Sequence, residues 1–123
     1  MTTEKIHEMV LEQFGADFDE HAKDIADNGA DAGWSGFIYY SDTVPFGQRI
    51  RTYARAELIE LAEECGESSM FTMMSKWKCL EGFSADEIAE GWYSGENEGA
   101  HTAVMNALAW YALEETARDL VNA

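Results

Sequence analysis

The stretch AHTAVMNALAWYALEETARDLV, residues 100–121, decides the fold. Its apolar positions Val104, Leu108, Trp110, Tyr111, Leu113, Ala117 and Leu120 recur at helical steps, yet they fill a wide arc of the wheel rather than one stripe. A helix apolar over so much of its circumference needs neighbours on several sides. It therefore belongs at the centre of a bundle, and the rest of the chain is read for helices that surround it.

Working outward, Ser84-Ala85-Asp86-Glu87 reads as a capping box that starts a short helix running to about Trp92, followed by the loop 94–99. Residues 69–80 carry Met70, Met73, Met74, Trp77 and Leu80 at helical spacing, a core stripe ending near Gly82. Ser41-Asp42-Thr43 ahead of Pro45 reads as a helix start, with proline in the first turn. Phe46, Ile50, Ala54, Leu58, Leu61 and Cys65 then predict one continuous helix up to Gly66. Ile6, Val10 and Phe14 define an amphipathic helix over 4–14, and Gly15 kinks or ends it. Phe18, Ala22 and Ile25 resume the period until Asn28-Gly29.

The passage Phe37-Ile38-Tyr39-Tyr40 alone has strand-like composition, and no second β-rich run offers it a partner. It leaves room for a short extended segment at 36–41. The expectation is an all-α protein: a single compact bundle of five or six helices in one domain, residues 1–123, with the C-terminal helix central.

Composition narrows the class. Hydrophobic residues make up 46% of the chain, which argues against the disorder that a net charge of −16 would otherwise suggest. No run of 18 apolar residues offers a membrane span, and the Met1–Lys5 start lacks the features of an export signal. Cys65 and Cys79 share no motif and are read as reduced core thiols.

The charge is unevenly distributed. Residues 1–31 hold nine acids and two lysines, and residues 84–99 hold five acids and no base. Residues 32–56 are instead net +2, through Arg49, Arg51 and Arg55. Glu4, Glu8 and Glu12 stand about 6 Å apart along a helix axis, so their repulsion costs a few tenths of a kcal/mol per pair. Such a row resembles a phosphate track to a basic surface. A solvated, solubilising helix face and halophilic acidity account for the same charge without a partner.

Other constellations are weaker. Arg51 and Arg55 share a helix face and are able to bind an anion, but internal pairing with Asp42 or the Glu57 region is the preferred reading. Gly33-Trp34-Ser35-Gly36 lacks the final glycine of a nucleophile elbow, and no phosphate-binding glycine loop occurs. His7, His21 and His101 make no paired-ligand spacing; Glu57, Glu60, Glu64, Glu114 and Glu115 stand at steps compatible with a hard cation. Five acids without a base exclude residues 84–99 as a DNA-groove helix.

Two passages carry a resemblance. Gly36-Phe37-Ile38-Tyr39-Tyr40-Ser41-Asp42-Thr43 with Phe46 is similar to a G-x-I-Y-Y-x-D-T-x-x-F element, and Asn106 to Arg118 is similar to N-x-L-A-W-F-A-x-E-E-x-A-R. Both elements belong to a family of small acidic proteins from bacteriophages and mobile elements whose function is unassigned. Residues 67–99 lie outside the resemblance. As a structural signature it implies that Tyr39, Tyr40 and Trp110 anchor the core and that Asp42 caps a helix or meets Arg118. Acidic phage proteins of this size often act against host defence, as antirestriction proteins and anti-CRISPRs do.

The resulting expectation is a non-enzymatic, anti-CRISPR-like inhibitor in the bacterial host cytoplasm, with no catalytic residue, cofactor or metal. Its partner is the basic surface of a nucleic-acid-binding defence complex, a CRISPR effector or restriction enzyme, with no direct contact to nucleic acid or membrane. Asp17, Asp19, Glu20, Asp24, Asp27 and Asp31 form one candidate surface. Asp86, Glu87, Glu90, Glu96 and Glu98 form the other. The alternatives are a small helical enzyme or carboxylate metal protein using Glu57, Glu60, Glu64 or Glu114, and a phage structural or assembly protein. The oligomeric state stays open.

Overall fold

The computed structural model describes residues 3–30 and 40–123. In chain order its α-helices are α1 (Glu4–Phe14), α2 (Ala16–Asn28), α3 (Tyr40–Tyr53), α4 (Arg55–Glu64), α5 (Met70–Met74), α6 (Ala85–Tyr93) and α7 (Glu98–Asn122). A 3-10 turn, Lys78–Leu80, lies between α5 and α6. The described residues are all-α and contain no strand.

Asn97 starts the long α7. Its side-chain oxygen accepts a hydrogen bond from the Ala100 amide at 3.3 Å, satisfying a donor that would otherwise lack an intrahelical partner. Every residue from Val104 to Ala109 is buried, because α1, α2, α3 and α6 all pack against α7. Small residues set how closely they approach. A Cβ on Gly47 would stand 1.9 Å from the Met105 carbonyl oxygen, and one on Gly91 would stand 2.6 Å from that of Ala100. Glycine at these two positions brings the α3 and α6 backbones onto α7.

α1 runs antiparallel to α7. His7 Nδ1 near its start lies 3.2 Å from Asp119. Phe14 at its end meets Phe46 edge-on, with ring centroids 5.3 Å apart, beside the Gly47–Met105 crossing. The chain then reverses at Gly15, whose φ of +61° side-chain-bearing residues rarely adopt. α2 follows and buries Phe18, Ala22 and Ile25.

The structure departs from the sequence reading at several elements. The helix expected up to Gly66 is broken at Ala54 (φ −120°, ψ 21°), dividing α3 from α4. No glycine or proline marks this break; Arg51 and Arg55 beside it both reach across to the end of α6. Pro45 lies inside α3, beyond the first turn. The stripe expected as one helix over 69–80 is helical only to Met74. There Ser75 Oγ donates to the Thr72 carbonyl at 2.6 Å, a local bond that competes with helix continuation. Met70, Met73 and Met74 are nonetheless core, as expected.

Of the extended segment allowed at 36–41, residues 36–39 lie outside the described residues, while Tyr40 and Ser41 are helical. The side chains of Tyr39 and Tyr40, expected to anchor the core, also lie outside the described set. Leu120, expected on the apolar arc, is 36% exposed because the last turn of α7 projects past its neighbours. Among the described residues, no helix is long and apolar enough to cross a membrane.

Candidate functional site

Ten of the eleven carboxylates singled out by sequence are described, and all ten are exposed; Asp31 lies outside the described residues. On α2, Asp17, Glu20, Asp24 and Asp27 recur at three- and four-residue steps. They form one stripe about 15 Å long, given a rise of about 1.5 Å per residue. That stripe is roughly opposite the buried Phe18, Ala22 and Ile25. Asp19 flanks it. On α6, Asp86, Glu87 and Glu90 oppose the buried Ile88, Gly91 and Trp92, with Glu96 in the following loop and Glu98 opening α7. The two groups thus stand on separate helices, each docked on α7.

Part of this acidity has a local structural reason. Asp17, Asp19, Asp86, Glu87 and Glu98 occupy first turns of their helices, where a carboxylate complements the positive end of the helix dipole. Glu87 completes the capping box: it accepts from the Ser84 amide at 3.1 Å, while Ser84 Oγ accepts from the Glu87 amide at 3.2 Å. Glu90 accepts from the Asn97 side chain at 3.2 Å, and Asp24 from Asn28 at 2.7 Å. Asp27 pairs with Lys23 at 3.4 Å.

The arginine cluster is organised differently from expectation. Arg49 donates to the Gln13 side chain, Arg51 to the Trp92 carbonyl at 2.9 Å, and Arg55 to the Tyr93 hydroxyl at 3.4 Å. Neutral acceptors on α1 and α6, rather than Asp42 or Glu57, take these guanidinium groups. Their role is to tie α3 and α4 to the neighbouring helices. Glu57 pairs with Lys5 at 3.8 Å. Arg118, which the resemblance offered to Asp42, instead meets Glu115 at 2.6 Å and Glu114 at 3.7 Å. Among the described residues no three His, Cys, Asp or Glu converge to hold a metal ion, so Glu57, Glu60, Glu64 and Glu114 do not assemble the cation site considered from their spacing.

A cleft of about 540 Å³ opens beside α7, and sequence reasoning missed it. Trp77 and Tyr111 stack nearly parallel within it, ring centroids 4.2 Å apart and planes 5° from parallel. Trp110, expected as a core anchor, is only half-buried and lines the same cleft. Glu114, Glu115 and Arg118 extend this wall, and the end of α2 and the 3-10 turn face it. The Ala30 amide donates to Glu114 at 3.1 Å, fixing the chain after α2 against α7. Burial, and secondarily the nearby Glu115 carboxylate, push the Tyr111 hydroxyl above the usual tyrosine range. Of the two thiols expected in the core, Cys65 is exposed and Cys79 half-buried at this cleft. The only sequence trace of the cleft was the run of ring and carboxylate residues within Trp110–Glu115.

Fold and site together define an acidic, all-α domain built around one central helix. The chain belongs to the family described as Domain of unknown function (DUF7222), which matches residues 3–123. No curated protein and no solved structure matches it.

Proposed function

We propose that this protein is a non-catalytic inhibitor whose anionic outer face docks on the basic, nucleic-acid-handling surface of a bacterial defence complex. In this reading it acts in the host cytoplasm in the manner of an anti-CRISPR or antirestriction protein, occupying a channel that otherwise holds nucleic acid. The observation that carries the reading is the placement of charge. The α2 stripe and the α6 group point outward on a chain of net −16, while the arginines at 49, 51 and 55 tie helices together. Carboxylates at three- and four-residue steps lie about 5–6 Å apart along the axis, a spacing that a row of lysines and arginines on the partner is able to follow. Association driven by such a field is fast at low ionic strength and weakens steeply with salt.

The test replaces Asp17, Glu20, Asp24 and Asp27 together by lysine. Binding to purified CRISPR effector and restriction complexes, and inhibition of their nucleic-acid cleavage, are measured from low to high salt. The expected result is loss of inhibition with the helical circular dichroism unchanged. Full inhibition by the reversed variant, or inhibition insensitive to salt, overturns the acidic-face reading.

A further inference from the structure

We propose that the cleft beside α7 binds the guanidinium side chain of an arginine presented by a partner protein. This rests on the reading above that the partner surface is basic, and adds a specific anchor to what is otherwise a diffuse attraction.

The first support is the surface of the cleft. Trp77, Tyr111 and Trp110 place three half-buried rings around a space of about 540 Å³. A cation above such a face is attracted by the ring quadrupole, and a guanidinium, being flat, also stacks.

The second is register. On α7, Glu114 follows Trp110 and Glu115 follows Tyr111, each by four residues. Each ring therefore has a carboxylate one turn along the same face, about 6 Å away. A guanidinium lying on a ring points its N–H edge toward that carboxylate, the fork geometry that arginine satisfies better than lysine.

The third is an internal precedent. Arg118 already places its guanidinium between these two carboxylates, and its side chain is 49% exposed. An incoming arginine would compete with a tether whose arginine is half exposed and whose carboxylates are 31% and 34% exposed, and partly solvated pairs of this kind are modest in strength. The end of α2 adds the negative pole of a helix dipole through Asn28 and Gly29. Lys78 lines the cleft as the remaining cation and is exposed. The overall charge of −16 disfavours an anionic ligand such as a nucleotide.

The experiment titrates the protein with N-acetyl-arginine amide while the indole N–H resonances of Trp77 and Trp110, assigned through Trp→Phe variants, are followed by NMR. N-acetyl-lysine amide, the uncharged N-acetyl-citrulline amide and adenosine monophosphate serve as comparisons. The arginine compound is expected to give saturable shifts, the lysine compound weaker ones, and the other two none. Glu115→Gln should weaken arginine binding about tenfold through loss of a charge-assisted contact. Arg118→Gln, which removes the resident cation from beside both carboxylates while Glu114 keeps its bond from the Ala30 amide, should tighten it several-fold. Glu115→Gln preserves side-chain size, Arg118→Gln shortens a half-exposed side chain, and the ligand-free spectra of both report whether the fold is retained.

Citrulline binding as well as arginine, weaker arginine binding in folded Arg118→Gln, shifts caused by adenosine monophosphate, or no shift with arginine would each overturn the proposal. If arginine leaves the indoles unmoved while reversal of the α2 stripe abolishes inhibition, the cleft assignment alone fails. If arginine binds but reversal of the stripe changes nothing, the acidic-face reading alone fails.

Discussion

The Thr43 hydroxyl donates to the Asn106 side-chain oxygen across 2.6 Å, with Thr43 only 5% and Asn106 only 6% exposed. This bond joins α3 to the middle of α7. It also connects two distant stretches of sequence, Asp42-Thr43 in one and Asn106 in the other. Thr43→Val leaves the Asn106 oxygen without this donor, and Asn106→Leu removes this acceptor from the Thr43 hydroxyl. Each should cost about 1–3 kcal/mol in denaturant unfolding. The double variant should cost less than the sum of the two, because the single Thr43–Asn106 bond is lost in each of the single variants. Strict additivity would show that the pair does not act as a unit.

Helix contact at Gly47 is tighter than at Gly91. Gly47→Ala sets a methyl 1.9 Å from backbone, so α3 must move away from α7; a loss exceeding about 3 kcal/mol is expected. Gly91→Ala, at 2.6 Å, should cost roughly 1–3 kcal/mol. Gly95 has nothing within 4 Å of the added atom, and its alanine variant should lie within about 0.5 kcal/mol of the parent. Urea midpoints of the three variants test the order.

Tyr111 makes stability depend on alkaline pH. Burial holds its folded-state ionisation above that of the unfolded chain, so the neutral hydroxyl is favoured by folding. Its contribution is fully present below the unfolded tyrosine value of about 10 and is lost as pH rises through the folded value. Ultraviolet titration should show Tyr111 ionising after the unfolded reference, and Tyr111→Phe should remove that lag. The variant should also lose less stability than the parent on passing above about pH 10. An unchanged titration in Tyr111→Phe would assign the lag elsewhere.

Net repulsion predicts the direction of the salt effect on folding. With 24 acidic and 8 basic residues, screening should raise Tm, by roughly 5 °C between low salt and 0.5 M sodium chloride. Replacing Glu20, Asp24 and Asp27 by their amides should flatten that dependence. A Tm that falls with salt would mean that pairs such as Lys5–Glu57 outweigh repulsion.

Much of the fold was legible locally. The central place of α7 follows from an apolar arc too wide for one neighbour, and the Ser84 capping box from a four-residue motif with its own hydrogen bonds. The same holds for the turn at Gly15 and the exposed face of α2, where opposite residues of one short helix differ sharply in polarity. The breaks at Ala54 and Ser75 were not legible in this way. Helical periodicity continues through both; contacts of Arg51 and Arg55 with α6 accompany one, and a serine-to-carbonyl bond the other.

Residue order alone determined helical class, the wide-faced final helix and an outward-facing surplus of carboxylates, because polarity repeated every three to four residues sorts side chains before any helix meets another. The tertiary structure decided which atoms meet across helices: Thr43 with Asn106, Gly47 against Met105, Trp77 stacked on Tyr111. These pairings join residues 34 to 63 positions apart, and nothing in a local pattern encodes them. They depend on how closely backbones approach once glycine and alanine set the spacing, and the aromatic cleft exists only because that packing leaves three rings half in water.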